Sequence, residues 1–125
     1  MIDAIFKNPQ YQTLRNLIET SAVRHGALAG NVANVNTPGY HRQDLSSIFQ
    51  KELDGAIKDQ DVAKLRQLTP RIQTDTETPS LRLDGNNVNL EREMVEIAKN
   101  SMQLDIAASL LAKRYQTLRK AITGK

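Results

Sequence analysis

Two histidines, His25 and His41, are the side chains best suited to proton transfer or metal ligation near neutral pH. A proline-glycine pair separates them, and no carboxylate pair accompanies either at metal-ligand spacing. Glu91, Glu93 and Glu96 bring carboxylates close together, as acid-base chemistry requires. The first turns of a helix attract acids for electrostatic reasons alone. Lys113, Arg114, Arg119 and Lys120 carry charge that grips phosphate, but a basic helix end has the same composition, and no interleaved aromatics offer bases a stacking surface. Ser21 and Ser101 lack a neighbouring base and acid. With no cysteine there is no thiol nucleophile, thiolate metal site or disulfide. Neither a phosphate-cradling glycine loop nor a nucleophile elbow occurs. No catalytic residue, cofactor-binding residue or metal ligand is assigned, and no small-molecule substrate is expected. This does not read as an enzyme.

The elements that must position these side chains are long helices. Tyr11, Leu14, Ile18, Ser21, His25, Leu28, Val32 and Val35 follow at steps of three and four, the period of a coiled-coil seam. Leu90, Met94, Ile97, Ser101, Leu104, Ala108, Leu111, Tyr115, Leu118 and Ile122 keep the same step towards the C-terminus. Asn87 or Asn89 caps this second helix, acids crowd its start, bases crowd its end, and Gly124 terminates it. A further apolar row, Val95, Ala98, Met102, Ile106 and Leu110, lies beside the seam. A helix apolar over so much of its circumference needs more than one neighbour, and a chain of 125 residues has one other long helix to offer. Met102, Ile106 and Leu110 are therefore expected to meet other subunits. Gly26 and Gly30, on a strip of small residues, are expected to admit a partner helix at close range.

Between these helices the texture turns polar and proline-bearing. Gln43 to Lys58 reads as a short amphipathic helix with Leu45, Phe49, Leu53 and Ile57 on one side, and Asp61 to Leu68 as one or two further turns. Arg71 to Thr74 and Ser80 to Leu83 alternate like short strands. The fold class is mainly α, with N- and C-terminal helices pairing as a coiled coil around a small irregular insert. The divisions are 1–35, 36–87 and 88–125. A net charge of +3, with the signs interspersed, does not argue for a nucleic-acid partner. No uncharged apolar run approaches the ~20 residues of a membrane span.

The sharpest local signal is Thr37-Pro38-Gly39-Tyr40, a turn of type II character that stops the first helix. With the preceding Ala33-Asn34 and the following Arg42, it resembles the signature of the bacterial flagellar rod and hook family. Gly30 and His41 depart mildly from that pattern, in which Asn and a basic residue are commoner. The stretch from Asp84-Gly85-Asn86-Asn87 through Glu93-Met94 to Leu118 is similar to the short proximal-rod members.

The resemblance implies a structural subunit of the rod, the periplasmic drive shaft of the basal body. Such subunits leave the cytoplasm through the flagellar type III apparatus without a cleaved signal and polymerise through their terminal helices. The implied partners are other copies, other rod proteins, the rod-base adaptor and the export gate. Ile2, Ile5 and Phe6 are candidate export contacts. Phe49 and Leu53 resemble a Phe-x-x-x-aliphatic pattern for gate recognition, although packing of the middle helix accounts for them equally. The alternatives are another rod-family subunit or adaptor, or a small basic helical nucleic-acid-binding protein.

Overall fold

The computed structural model describes residues 2–125. In chain order its elements are α1 (Ile2–Phe6), α2 (Pro9–Ala33), β1 (Gln43–Leu45), α3 (Ser47–Lys58), α4 (Val62–Gln67), β2 (Ile72–Thr74) and α5 (Leu90–Thr123). The long helices α2 and α5 pair antiparallel: Tyr11 meets Tyr115, Ser21 meets Asn100 and Asn31 meets Glu93. The molecule is mainly helical, with the small mixed insert folded against the pair.

Each helix begins and ends where the local chemistry dictates. Asn8 caps α2 by accepting from the Gln10 N–H, and Pro9 occupies the first turn, where no amide proton is needed. The expected N-terminal helix is thereby split, with α1 standing apart from α2. Asn89 caps α5 through the Arg92 N–H, and Gly124 closes it in the left-handed region at φ 69°.

The insert departs from expectation in two places. Residues 43–45 form a strand rather than the first turn of a helix, because Ser46 caps α3 by accepting from the Phe49 N–H. Their partner is β2, antiparallel, with Gln43 opposite Thr74, Asp44 opposite Gln73 and Leu45 opposite Ile72. Residues 80–83 form no strand; the Ser80 hydroxyl donates to the Asn86 carbonyl and accepts from the Arg82 N–H, curling the loop on itself. Leu45, Phe49, Leu53, Ala56 and Leu65 bury one another in a compact apolar cluster, with Ile57 and Leu68 at its margin.

The face of α2 beneath the insert is polar. Gln12, Asn16 and Thr20, at steps of four, are all buried, and the Asn16 amide donates to the Leu65 carbonyl at 2.8 Å. The pairing face of α5 runs Glu93, Ile97, Asn100, Leu104, Ala107, Leu111, Arg114 and Leu118, each buried or half-buried, at alternating steps of four and three. Alternate positions of this stripe lie one residue before the expected seam. Met94, Ala108 and His25, expected between the helices, are exposed. The displacement has a plain cause: Glu93 and Asn100 fill inward positions, and a search for apolar periodicity discards them. Among the described residues, no helix is long and apolar enough to cross a membrane.

Candidate functional site: a polar clasp and an open apolar face

The family turn lies where four segments converge: the end of α2, the turn itself, β1 and the approach to α5. Tyr40 N–H donates to the Thr37 carbonyl at 3.3 Å, and Gly39 takes φ 71°, the geometry of a type II turn with glycine at its third position. The Asn34 amide donates back to Gly30 O at 2.9 Å, and the Thr37 hydroxyl donates to Asn34 Oδ1 at 3.1 Å. Ala33, Thr37, Pro38 and Gly39 are exposed, whereas Arg42 runs inward.

Arg42 is the hub. Its side chain is only 4% exposed and its Nε donates to Glu93 Oε1 at 2.8 Å, with Glu93 wholly buried. Its Nη2 reaches Asp44 at 3.0 Å and its Nη1 reaches Asp75 at 3.1 Å. A planar guanidinium with five donors is the side chain able to bind three carboxylates from three segments together. Beside it, Arg24 donates to Asp44 and Glu96, each at 2.8 Å. The two arginines thus join α2, β1, the loop after β2, and the first two turns of α5.

Three asparagines complete the clasp. Asn31 accepts from the Gln43 N–H at 2.7 Å and donates to Gln43 O at 2.8 Å, so its amide pairs with β1 as a neighbouring strand would. It also donates to Glu93 at 2.9 Å and accepts from the Tyr40 hydroxyl at 3.2 Å. Asn86 donates to the carbonyls of Asn34, Val35 and Thr37, so one amide ties together the backbone that follows the end of α2. Asn87 accepts from the Arg42 N–H at 2.7 Å and donates to the Asp75 and Thr78 carbonyls.

The ionisation of these groups follows from their partners. Burial alone raises the Asp75 carboxyl, but hydrogen bonds from the Thr78 N–H and hydroxyl, from Arg42 and from the Glu77 N–H outweigh it and hold it down at about 2. Asp44 and Glu96 are likewise lowered, with burial opposed by Arg24 in both cases. Burial opposes the charge on Arg42, and its carboxylates more than restore it. Tyr40 is raised by burial and by the nearby Glu93 charge. These groups bind one another and so tie α2, β1, the loop after β2 and the start of α5 together.

The second feature is apolar and open. Along the outer side of α5, Met94, Val95, Met102, Ile106 and Leu110 are all roughly half exposed or more. At the far end, α1, the start of α2, the end of α3 and the end of α5 enclose a groove of about 1150 Å³. Ile5, Leu14, Leu111 and Leu118 line it, and Lys113 and Arg114 stand among its polar residues. Phe6 packs edge-on against Tyr11, and Tyr11 against Tyr115, so α1 is held at the groove's margin.

Of the remaining expected site residues, Leu28 is fully buried and Ile18, Val32, Ile97 and Leu104 are half-buried. A Cβ built on Gly26 would meet open space, and one on Gly30 would lie 3.9 Å from the Tyr40 hydroxyl. Ile2 is exposed, whereas Phe49 and Leu53 are buried in the insert cluster. Reading the sequence for apolar stripes missed Asn31, Asp44, Asp75, Asn86, Asn87 and the inward role of Glu93. The available signal was asparagine at both junctions, before the turn and at the start of the last helical segment.

No family model matches the chain. Its curated relatives nevertheless agree with one another. The flagellar basal body rod protein FlgB of Escherichia coli is 30% identical, covering 90% of this chain and 90% of its own length. FlgB of Aquifex aeolicus is 30% identical over 82% of this chain and 83% of its own. FlgB of Bacillus subtilis is 25% identical over 90% of this chain and 92% of its own. Those alignments cover more than four fifths of the length on both sides, two of them at 30% identity, and so the chain belongs to the FlgB family of flagellar basal-body rod proteins.

Proposed function

We propose that this chain is a structural subunit of the proximal rod. It leaves the cytoplasm through the flagellar type III apparatus without a cleaved signal and polymerises through its terminal helices into the periplasmic drive shaft. The observation that carries the reading is the outer face of α5, where Met102, Ile106 and Leu110 remain exposed after the chain has folded. Such a face is costly in water and stable once covered by other subunits. The partners are further copies, other rod proteins, the rod-base adaptor and the export gate. Gly26, with open space around it, suits close approach by a neighbouring helix. The clasp makes the shoulder between the helix pair and the insert stiff, as a shaft under torque requires. Ile2, Ile5 and Phe6 serve export at the N-terminus. Phe49 and Leu53 can meet the gate only when the insert is unfolded, as during passage through a narrow export channel.

The test is complementation. In a motile host lacking its own copy of the gene, the intact gene restores swimming. Met102→Asp with Ile106→Asp, on the exposed face, leaves the monomer folded and fails to restore it. Full swimming by the double variant would refute this use of the α5 face.

A further inference from the structure

The insert carries its own apolar core and rests on a polar seat. Leu45, Phe49, Leu53, Ala56 and Leu65 pack on one another, and Ile57 and Leu68 at the margin also belong to the insert. The strip of α2 beneath offers Gln12, Asn16 and Thr20, each more than nine-tenths buried. The Asn16 amide donates across to the Leu65 carbonyl at 2.8 Å. Among the described residues, Gln12 Oε1 and the Thr20 hydroxyl have no hydrogen-bond partner. Burying such groups costs free energy that contact with water restores, so this seat holds the insert weakly.

The firm attachment lies at one end. The chain enters α3 through Ser46 and leaves α4 through residues 68–71. The Ser46 N–H donates to the Arg71 carbonyl at 2.7 Å, which holds the two links side by side. Next to them Arg42 ties β1 to the residue after β2 through Asp44 and Asp75. At the opposite end, Ile57 and Gln60 stand at the wall of the 1150 Å³ groove. With 12 residues α3 is about 18 Å long, so a pivot of ~15° at its start carries its far end about 5 Å.

We propose that α3 and α4 form a lid, hinged at Ser46 and Arg71, that swings as one body and sets the width of the groove. The core of the insert moves with the lid, so its apolar contacts survive the motion. In the structure the lid is seated, with the Asn16–Leu65 bond made and Ile57 held at the groove. Lifting breaks that bond, returns Gln12 and Thr20 to water and opens the groove further. The two positions lie close in energy because a few polar groups decide between them.

The chain has no cysteine, so pairs of introduced thiols carry nitroxide labels at chosen places. Gln103, exposed on α5 near the Asn100–Ser21 contact, is the reference as Gln103→Cys. It is paired with Lys58→Cys at the free end of α3, or with Gln73→Cys on β2 beside the hinge; both positions are exposed. Pulsed electron–electron double resonance on the purified chain is expected to give one narrow distance for the β2 pair. The Lys58 pair is expected to give two, about 5 Å apart, as the length of α3 dictates. Asn16→Ala should raise the ratio of lifted to seated chains about fivefold, the weight of one ordinary hydrogen bond. Thr20→Val, which removes a hydroxyl with no partner to lose, should lower that ratio about fivefold. A single narrow distance for the Lys58 pair, unmoved by either substitution, overturns the lid. Equal broadening of both pairs also overturns it, because the motion then lies outside the hinge. Should Asn16→Ala fail to fold, Thr20→Val decides alone, and an unchanged ratio overturns the proposal.

Discussion

Arg42 holds three carboxylates from three segments in a place water barely reaches, so its loss leaves Glu93 buried and uncompensated. Breaking a buried pair by removing one partner costs about 3–5 kcal/mol, and Arg42→Leu should lower unfolding stability in urea by that amount. Arg24→Leu should cost less, about 1–2 kcal/mol, since its carboxylate partners are partly solvated. The carboxylates also set an acid limit. Asp75 sits at about 2 in the folded chain, below the ~3.9 of an unfolded aspartate, so between those values the unfolded state binds more protons. The stability from Asp75 is therefore complete above about pH 4 and disappears as pH falls through 2. Asp44 and Glu96, lowered as well, act in the same direction. Urea midpoints measured from pH 5 to pH 2 should fall steadily, and less steeply in Asp75→Asn. At this scale the motif residues could be read directly from the sequence, but their partners could not. A glutamate in the first turn of a helix looks like a response to the helix dipole, and only the tertiary fold shows Arg42 across from it.

The elements were more readable than their packing. Periodicity marked α2, α3 and α4, and periodicity with the Asn89 cap and Gly124 marked α5, because those signals are local; the caps at Asn8 and Ser46 went unread. The pairing face of α5 was hidden because Glu93 and Asn100 occupy inward positions, with Asn100 donating to the Ser21 carbonyl at 2.8 Å. The strand β1 was hidden because its hydrogen-bond partners, Asn31 and β2, are distant in sequence. Two expectations belong to this scale. Gln60 ends α3 with φ 52°, where a Cβ is disfavoured, and the Asp61 N–H donates to the Ala56 carbonyl at 3.0 Å as in a glycine-terminated helix. Gln60→Gly should stabilise the chain by roughly 0.5–1 kcal/mol in thermal or urea unfolding, and a loss of stability would count against this cap. Phe49→Ala empties the centre of the insert cluster and should cost about 3–5 kcal/mol. Hydrogen exchange should localise that loss to α3 and α4 and leave the clasp amides of α5 protected.

For the whole molecule, stability is unevenly distributed. The insert has its own apolar cluster and the clasp its ion pairs, whereas from residue 108 to the C-terminus no side chain of the chain alone is buried. Helices gain most of their stability from packing, so this end of α5 is the least supported part of the long helix in the chain alone. Amides of residues 108–123 should exchange fastest in dilute monomer and become protected on assembly; full protection in the monomer would contradict coupled folding. Leu111→Asp, which places a charge where α5 faces the groove, should abolish assembly. The most direct measurement is electron cryomicroscopy of basal bodies from a strain lacking this gene, with and without the intact gene restored. Rings without a rod in the deletion, and a complete rod after restoration, are the predicted result. Complete rods in the deletion strain would contradict the assignment of this chain to the drive shaft.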